Sequence, residues 1–181
     1  DGDFSEQAMI HRMNGDLAND FGNLSQRVLS MIFKNCDGVM PALPATPKDD
    51  DQSMLDAADA LLPAVRDAID MQAFHEALRL IWQVVADANR YVDTTAPWGL
   101  KKNDPKRMEE VLAVLAECIR QVAILAQPVM PKATALMLDQ LGVATESRDF
   151  TALGGTARLS SGHRIKKPVP VFPRYVVEEG Q

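Results

Sequence analysis

Apolar residues recur at three- and four-residue steps through Ile10, Met13, Leu17, Phe21, Leu24, Val28 and Met31, a spacing that predicts one long helix over residues 5–35. Asp3 followed by Glu6 resembles a capping box at its start, and Gly38 suits its end. Gly15 weakens it by roughly 1 kcal/mol relative to alanine, so a bend is expected there. The proline-rich stretch from Met40 to Pro47 cannot extend a helix and marks a surface connection. A second helix is expected over 53–69, with Leu55, Ala58, Leu61, Leu62, Val65 and Ile69 inward and Pro63 kinking or splitting it. A third follows over 71–92, with Phe74, Leu78, Ile81, Val85 and Ala88 as its inner face. Residues 93–103 read as a loop. Asp104 and Pro105 then supply the N-cap and first residue of a fourth helix, whose stripe runs from Met108 through Val111, Leu115, Ile119 and Val122 to Ala126. Pro128 and Pro131 restart the chain as a shorter fifth helix through Ala135, Leu138 and Leu141, closed by Gly142.

Helices joined by short connections, with no convincing strand pattern before residue 143, imply an all-α fold: an antiparallel helical bundle over 1–142. Residues 143–181 lack helical periodicity. They are expected as an extended C-terminal segment packed on the bundle within the same domain. The whole chain has 181 residues, 46% of them hydrophobic and 24% charged, the balance of a folded globular domain.

The net charge of −6 argues against indiscriminate nucleic-acid binding, yet the charges are segregated. Acids dominate between Lys48 and Asp70, whereas Arg158, Arg164, Lys166, Lys167 and Arg174 follow one another without an acid between them. The opening Asp1-Gly2-Asp3 reads as neither a signal peptide nor a natural beginning. The sequence has no apolar run of bilayer-spanning length, and its two cysteines are isolated, so a reducing cytoplasm fits best and no membrane is expected.

Two groups of residues do not serve the bundle. Asn19, Asn23 and Arg27 are spaced four apart, with Gly22 among them, and asparagine and glycine are poor choices for a helix interior. On an α-helix they form a polar row roughly 12 Å long, drifting about 40° per step. Amides donate and accept together and a guanidinium offers a planar fork, so such a row suits the edges of unstacked bases. A solvated helix face has the same spacing. Trp98 stands in a polar segment after Ala96 and Pro97, where its indole can serve as a stacking platform for a base or cap the end of the core. Lys101, Lys102, Lys106 and Arg107 follow it closely, and with the basic tail of Arg158, Arg164, Lys166, Lys167 and Arg174 they are candidate phosphate contacts.

Other chemistry finds little support. His11, His75 and His163 are isolated, neither Cys36 nor Cys118 has a second cysteine nearby, and no metal-ligand spacing, phosphate loop or nucleophile elbow is present. Neither a metal nor a catalytic residue is expected. Asp49, Asp50 and Asp51 read as an exposed, acid-rich helix start, which the helix dipole favours.

Several blocks together resemble a known family. They are Asp1 to Ser5, Asp16-Leu17-Ala18-Asn19, Gly22-Asn23-Leu24 through Arg27, Tyr91-Val92, Ala96-Pro97-Trp98 with Leu100, Pro128 to Pro131, Met137 through Gly142, Gly162, and Pro170 to Arg174. In this order they resemble the anticodon-binding domain of bacterial methionyl-tRNA synthetases, which are class I enzymes. The resemblance implies that Asn19, Asn23 and Arg27 hydrogen-bond the anticodon bases of methionine tRNA and that Trp98 stacks beneath the wobble base. It also implies that ATP and the methionine-activating chemistry belong to a catalytic domain in cis, whose signatures are missing here, and that this stretch needs no cofactor. The alternatives are the helical anticodon domain of another class I synthetase, against which the Ala-Pro-Trp loop speaks, and a helical adaptor that binds proteins.

Overall fold

The computed structural model describes residues 13–155 and 157–172. The expected cap at Asp3 and Glu6, Ile10, and the side chains of Met13 and Leu17 lie outside what it describes. The opening helix winds in two ways. Met13–Gly22 is a π-helix and passes directly into α1, Asn23–Asn35. The wider i→i+5 winding occupies the stretch holding Asn14, Gly15, Asn19 and Gly22, all weak α-helix formers. From Phe21 onward the expected stripe is buried: Phe21, Leu24 and Val28 face the core. Asp37 and Gly38, both with positive φ, then turn the chain.

The expected second helix is two, α2 (Asp49–Asp59) and α3 (Leu61–Asp70). The break falls at Ala60, upstream of Pro63. A proline has no N–H and its ring collides with the carbonyl four residues back, so the chain breaks early enough to leave Pro63 in the first turn of α3. The third expected helix is α4 (Phe74–Thr95), which starts late because Gln72 adopts a left-handed turn. Burial at this corner corrects the sequence reading. Ile69, Phe74 and Leu78, expected inward, are exposed together with Met71. The segment read as a loop contains a short helix, α5 (Pro97–Asn103). Next, α6 (Pro105–Ala126) opens as expected, with the Asp104 side chain accepting from the Arg107 amide at 3.0 Å. Finally, α7 (Pro131–Leu141) is closed by Gly142 at φ 75°.

The central helix is α6. Every residue from Val111 to Ala126 is buried, so the helix faces protein all round rather than along one stripe. Polar contacts set the helix directions. Asp51 and Asp59 on α2 bind Arg107 and Gln121 on α6, so these two helices run together. Tyr91, near the end of α4, meets the start of both, so α4 runs against them.

The segment after α7 lies on the bundle because α6 carries a buried polar face. Arg120 donates to the Ala152 carbonyl at 2.6 Å, Glu117 accepts from the Leu159 amide at 2.9 Å, and Arg158 grips Asp59 through two bonds of 2.8 and 2.5 Å. Beyond it, a strap pairs with the turn after α1. The Met40 amide donates to the His163 carbonyl at 2.9 Å, the Ile165 amide to Gly38 at 2.9 Å, and an isolated antiparallel bridge joins Val39 and Arg164. Val169 then donates to the Gln140 side chain at 2.8 Å. Among the described residues no helix is long and apolar enough to cross a membrane.

At the acid-rich start of α2, Asp49 and Asp50 are exposed as expected, but Asp51 is not. Asp51 is fully buried. Its Oδ1 accepts from Tyr91 Oη at 2.5 Å and Arg107 Nη2 at 2.6 Å, and its Oδ2 from Arg107 Nη1 at 2.6 Å and the Lys48 amide at 3.0 Å. Burial works to raise the pKa of this carboxyl, but the bonds from Arg107, Tyr91 and Lys48 outweigh it and hold the group below the usual carboxylate range.

Two outcomes follow for stability. Phe21→Ala costs about 3–5 kcal/mol in denaturant unfolding, whereas Phe74→Ser stays within about 0.5 kcal/mol, as an exposed position should. Because the folded pKa of Asp51 lies below the unfolded one, its stabilisation is complete above about pH 4 and is lost as pH falls through the folded value. Acid titration of Asp51→Asn therefore shows a shallower loss of stability below pH 4 than the parent.

Candidate nucleic-acid interface

Arg27 is held between two helices by a clamp the sequence reading missed. Its Nη1 donates to Asp93 Oδ1 at 3.0 Å and its Nη2 to Asn89 Oδ1 at 3.2 Å. Asn89 in turn donates to the Asp20 carbonyl at 3.4 Å and the Val85 carbonyl at 3.1 Å. The amide thus ties the guanidinium of α1, the π-helical backbone before it and α4 into one group. The Arg27 side chain keeps 36% of its surface in solvent, so the fork is oriented without being sequestered. Its signal in the sequence was a second polar pair at four-residue spacing, Asn89 and Asp93, with an asparagine once more inside a helix. The reading placed Asp93 in a loop and so did not connect them.

The three residues of the polar row lie on one helical run but in two windings. Asn19 belongs to the π-helix, while Asn23 opens α1 and Arg27 follows one turn later. The 40° drift expected of an α-helix therefore holds from Asn23 to Arg27, and the wider winding alters it toward Asn19. Both asparagines are exposed. Phe21, between them, turns inward and meets Trp82 edge-on with ring centroids 6.3 Å apart.

Trp98 is 51% exposed. The left-handed Ala96, at φ 42°, ends α4 and starts α5, Pro97 is buried beneath, and the indole projects from the second residue of the new helix. Asp93, which holds Arg27, is five residues earlier in the chain, which bounds their Cα separation at about 18 Å. The indole and the guanidinium therefore share one end of α4. Lys101 and Lys102 close α5, and Lys106 begins α6; all three are exposed.

The other candidate phosphate contacts divide. Arg107 is not available, being 9% exposed and bound to Asp51. Arg158 is bound to Asp59. Arg164, Lys166 and Lys167 are exposed on the strap, with Lys166 Nζ 3.9 Å from Asp139, and Arg174 lies outside the described residues. That strap adjoins the C-terminal end of α1, roughly 12 Å of helix beyond Arg27. No reactive thiol adjoins the site: burial, then Glu109 and Asp37, push Cys36 up to about 11, and burial raises Cys118 further.

A family model described as the anticodon-binding domain of methionyl tRNA ligase matches residues 42–180. The chain belongs to this family. The match begins after the polar row, but similarity to whole relatives covers that row as well. The methionine–tRNA ligase of Rhizobium meliloti is 50% identical over 180 residues, 99% of this chain and 34% of the relative. That of Mycobacterium tuberculosis is 45% identical over 179 residues, 97% of this chain. Among solved structures, the free-state methionyl-tRNA synthetase of M. tuberculosis matches with a TM-score of 0.91 at 43% identity, covering 96% of this chain and 35% of that one. The same enzyme bound by methionyl-adenylate matches at 0.89. The domain thus spans about a third of the length of the curated relatives it matches.

The clamp is an exposed ion pair with Asp93 65% in solvent, worth about 0.2–1 kcal/mol. Asp93→Asn and Arg27→Ala are accordingly expected to shift the unfolding free energy by less than about 1 kcal/mol, measured by urea titration.

Proposed function

We propose that the domain reads the anticodon of methionine tRNA. Asn19, Asn23 and Arg27 hydrogen-bond the bases, Trp98 stacks against the wobble base, and Lys101 and Lys102 meet the neighbouring phosphates. The observation that carries the reading is the pairing of an oriented, partly exposed guanidinium with a half-exposed indole at one end of α4, in a chain of this family. Arg27 offers a planar fork fixed by Asn89 and Asp93, so less freedom is lost when a base edge arrives. The indole brings sequence-tolerant stacking and the amides bring selection between edges. Arg164, Lys166 and Lys167, on the strap, are the outer phosphate contacts in this reading.

The domain is the tRNA-reading part of a methionine–tRNA ligase that joins methionine to its tRNA using ATP. Activation and transfer belong to a catalytic domain in cis, so the domain alone needs no cofactor and holds no catalytic residue. Protein synthesis places it in the cytoplasm.

Binding of methionine tRNA is expected to change tryptophan fluorescence and to weaken steeply with salt. Trp98→Ala is expected to lose roughly 1–3 kcal/mol of binding, about 5- to 150-fold in Kd. Equal affinity for tRNAs with unrelated anticodons sinks the reading.

A further inference from the structure

The buried carboxylate of Asp51 lies away from Arg27 and the polar row, and the decoding reading gives it no role. Its partners nevertheless bracket the segment that carries the indole. Tyr91 precedes Trp98 near the end of α4, and Arg107 follows it in the first turn of α6. Both side chains converge on Asp51, whose two oxygens accept four bonds of 2.5 to 3.0 Å. Everything between Tyr91 and Arg107, including the whole of α5, is therefore a loop with both ends fastened to one buried group.

We propose that Asp51 is a positioning residue for Trp98, setting the plane of the indole through Tyr91 and Arg107. The proposal rests on the reading that Trp98 stacks against a base. With seven residues, α5 is far shorter than a helix that holds itself in water, so its direction is set by its fastened ends together with the buried Pro97 and with Leu100 packed on the core. Those ends are fastened in turn to the two bracketing residues. The Thr95 hydroxyl donates to the Tyr91 carbonyl at 2.7 Å, and the Ala96 amide to Val92 at 3.0 Å. On the other side the Asp104 amide donates to Leu100 at 2.8 Å, and the Asp104 side chain accepts from the Arg107 amide at 3.0 Å. Between them Ala96 holds a left-handed conformation that alanine adopts only under constraint. The indole, half in solvent, takes its direction from this backbone.

The chemistry of the cluster favours geometry over stability. A buried ion pair is often no more stabilising than apolar residues of the same volume, but its bidentate fork tolerates only one arrangement. Two arginine bonds and a phenol on one carboxylate fix the spacing of α4 and α6 where α5 must span it.

The test uses a Trp82→Phe background, which leaves Trp98 as the sole tryptophan of the two in the chain. Tyr91→Phe removes one bond and keeps the ring, and Asp51→Asn keeps the shape and removes the charge. In each folded variant, time-resolved anisotropy of Trp98 is measured alongside the Kd for methionine tRNA and for the same tRNA with an altered anticodon. Faster local motion of the indole is expected, together with a fall of about tenfold in the ratio of the two affinities, a share of one base stack. Binding of the altered tRNA is expected to stay within about twofold, since the polar row does not seat its bases against the indole and lysine–phosphate contacts alone hold it. If both variants remain folded and neither anisotropy nor ratio moves, Asp51 is merely structural and the proposal is overturned. Should Asp51→Asn fail to fold, Tyr91→Phe decides alone. Should the parent itself show no discrimination, the decoding reading fails, and the anisotropy still judges whether Asp51 orients the indole.

Discussion

A carboxylate with no solvent access is tolerated only when its oxygens are supplied with donors, and Asp51 has four of them. That requirement organises the bundle. The donors come from α4, from α6 and from the residue that precedes α2, so satisfying one side chain fixes where three helices meet. Removing Arg107 leaves a charge stranded, whereas no apolar contact has so steep a penalty for a small displacement. The apolar core supplies the larger part of the stabilisation, and the Asp51 cluster decides which arrangement of helices receives it.

The consequences spread along α4, three of whose faces bear on them. Ile81, Val85, Ala88 and Val92 are buried in the core. Tyr91 faces α2, where a cleft of about 330 Å³ opens between Asp50, Ser53 and Ala57 on one side and Asp87, Arg90 and Thr94 on the other. Asn89 and Asp93 face α1 and hold Arg27. Since α4 is pinned by Tyr91 on one face, the clamp on another is built against a fixed helix, and the fork of Arg27 inherits that rigidity.

Much of this was legible in the chain. The helical stripes, the Asp104 cap with Pro105, the Gly142 stop and the oddity of Asn19, Asn23 and Trp98 were all readable, because each is a local rule obeyed or broken within a few residues. What escaped depended on contacts between distant segments. Phe74 and Leu78 keep the helical spacing of Ile81 and Val85 yet are exposed, since a stripe shows which residues share a face and not how far along it neighbouring helices cover it. Arg107 and Arg158 looked like phosphate contacts because their acidic partners, Asp51 and Asp59, lie more than fifty residues upstream. The same blindness made Asp51 look like part of an exposed acidic helix start. Asn89 and Asp93 have a readable spacing, but the apolar stripe that marks α4 ends at Val92, before the pair is complete.

The division between arginine and lysine bears on how an acidic chain meets RNA. Arg107, Arg120, Arg148 and Arg158 are each bound to a carboxylate within the fold, where a planar fork fixes geometry. Lys101, Lys102, Lys106 and Lys167 remain at the surface as compact charges suited to phosphates. Those pairs are neutral in themselves, so the net charge of −6 falls on the remaining groups, and Lys101, Lys102 and Lys106 near Trp98 are a local basic cluster on an otherwise acidic chain. Arg27 stands between the two uses, fastened at one edge and exposed at the other. In the decoding reading, the lysines set affinity and its salt dependence, while selection among anticodons falls to the few groups whose orientation the fold has fixed.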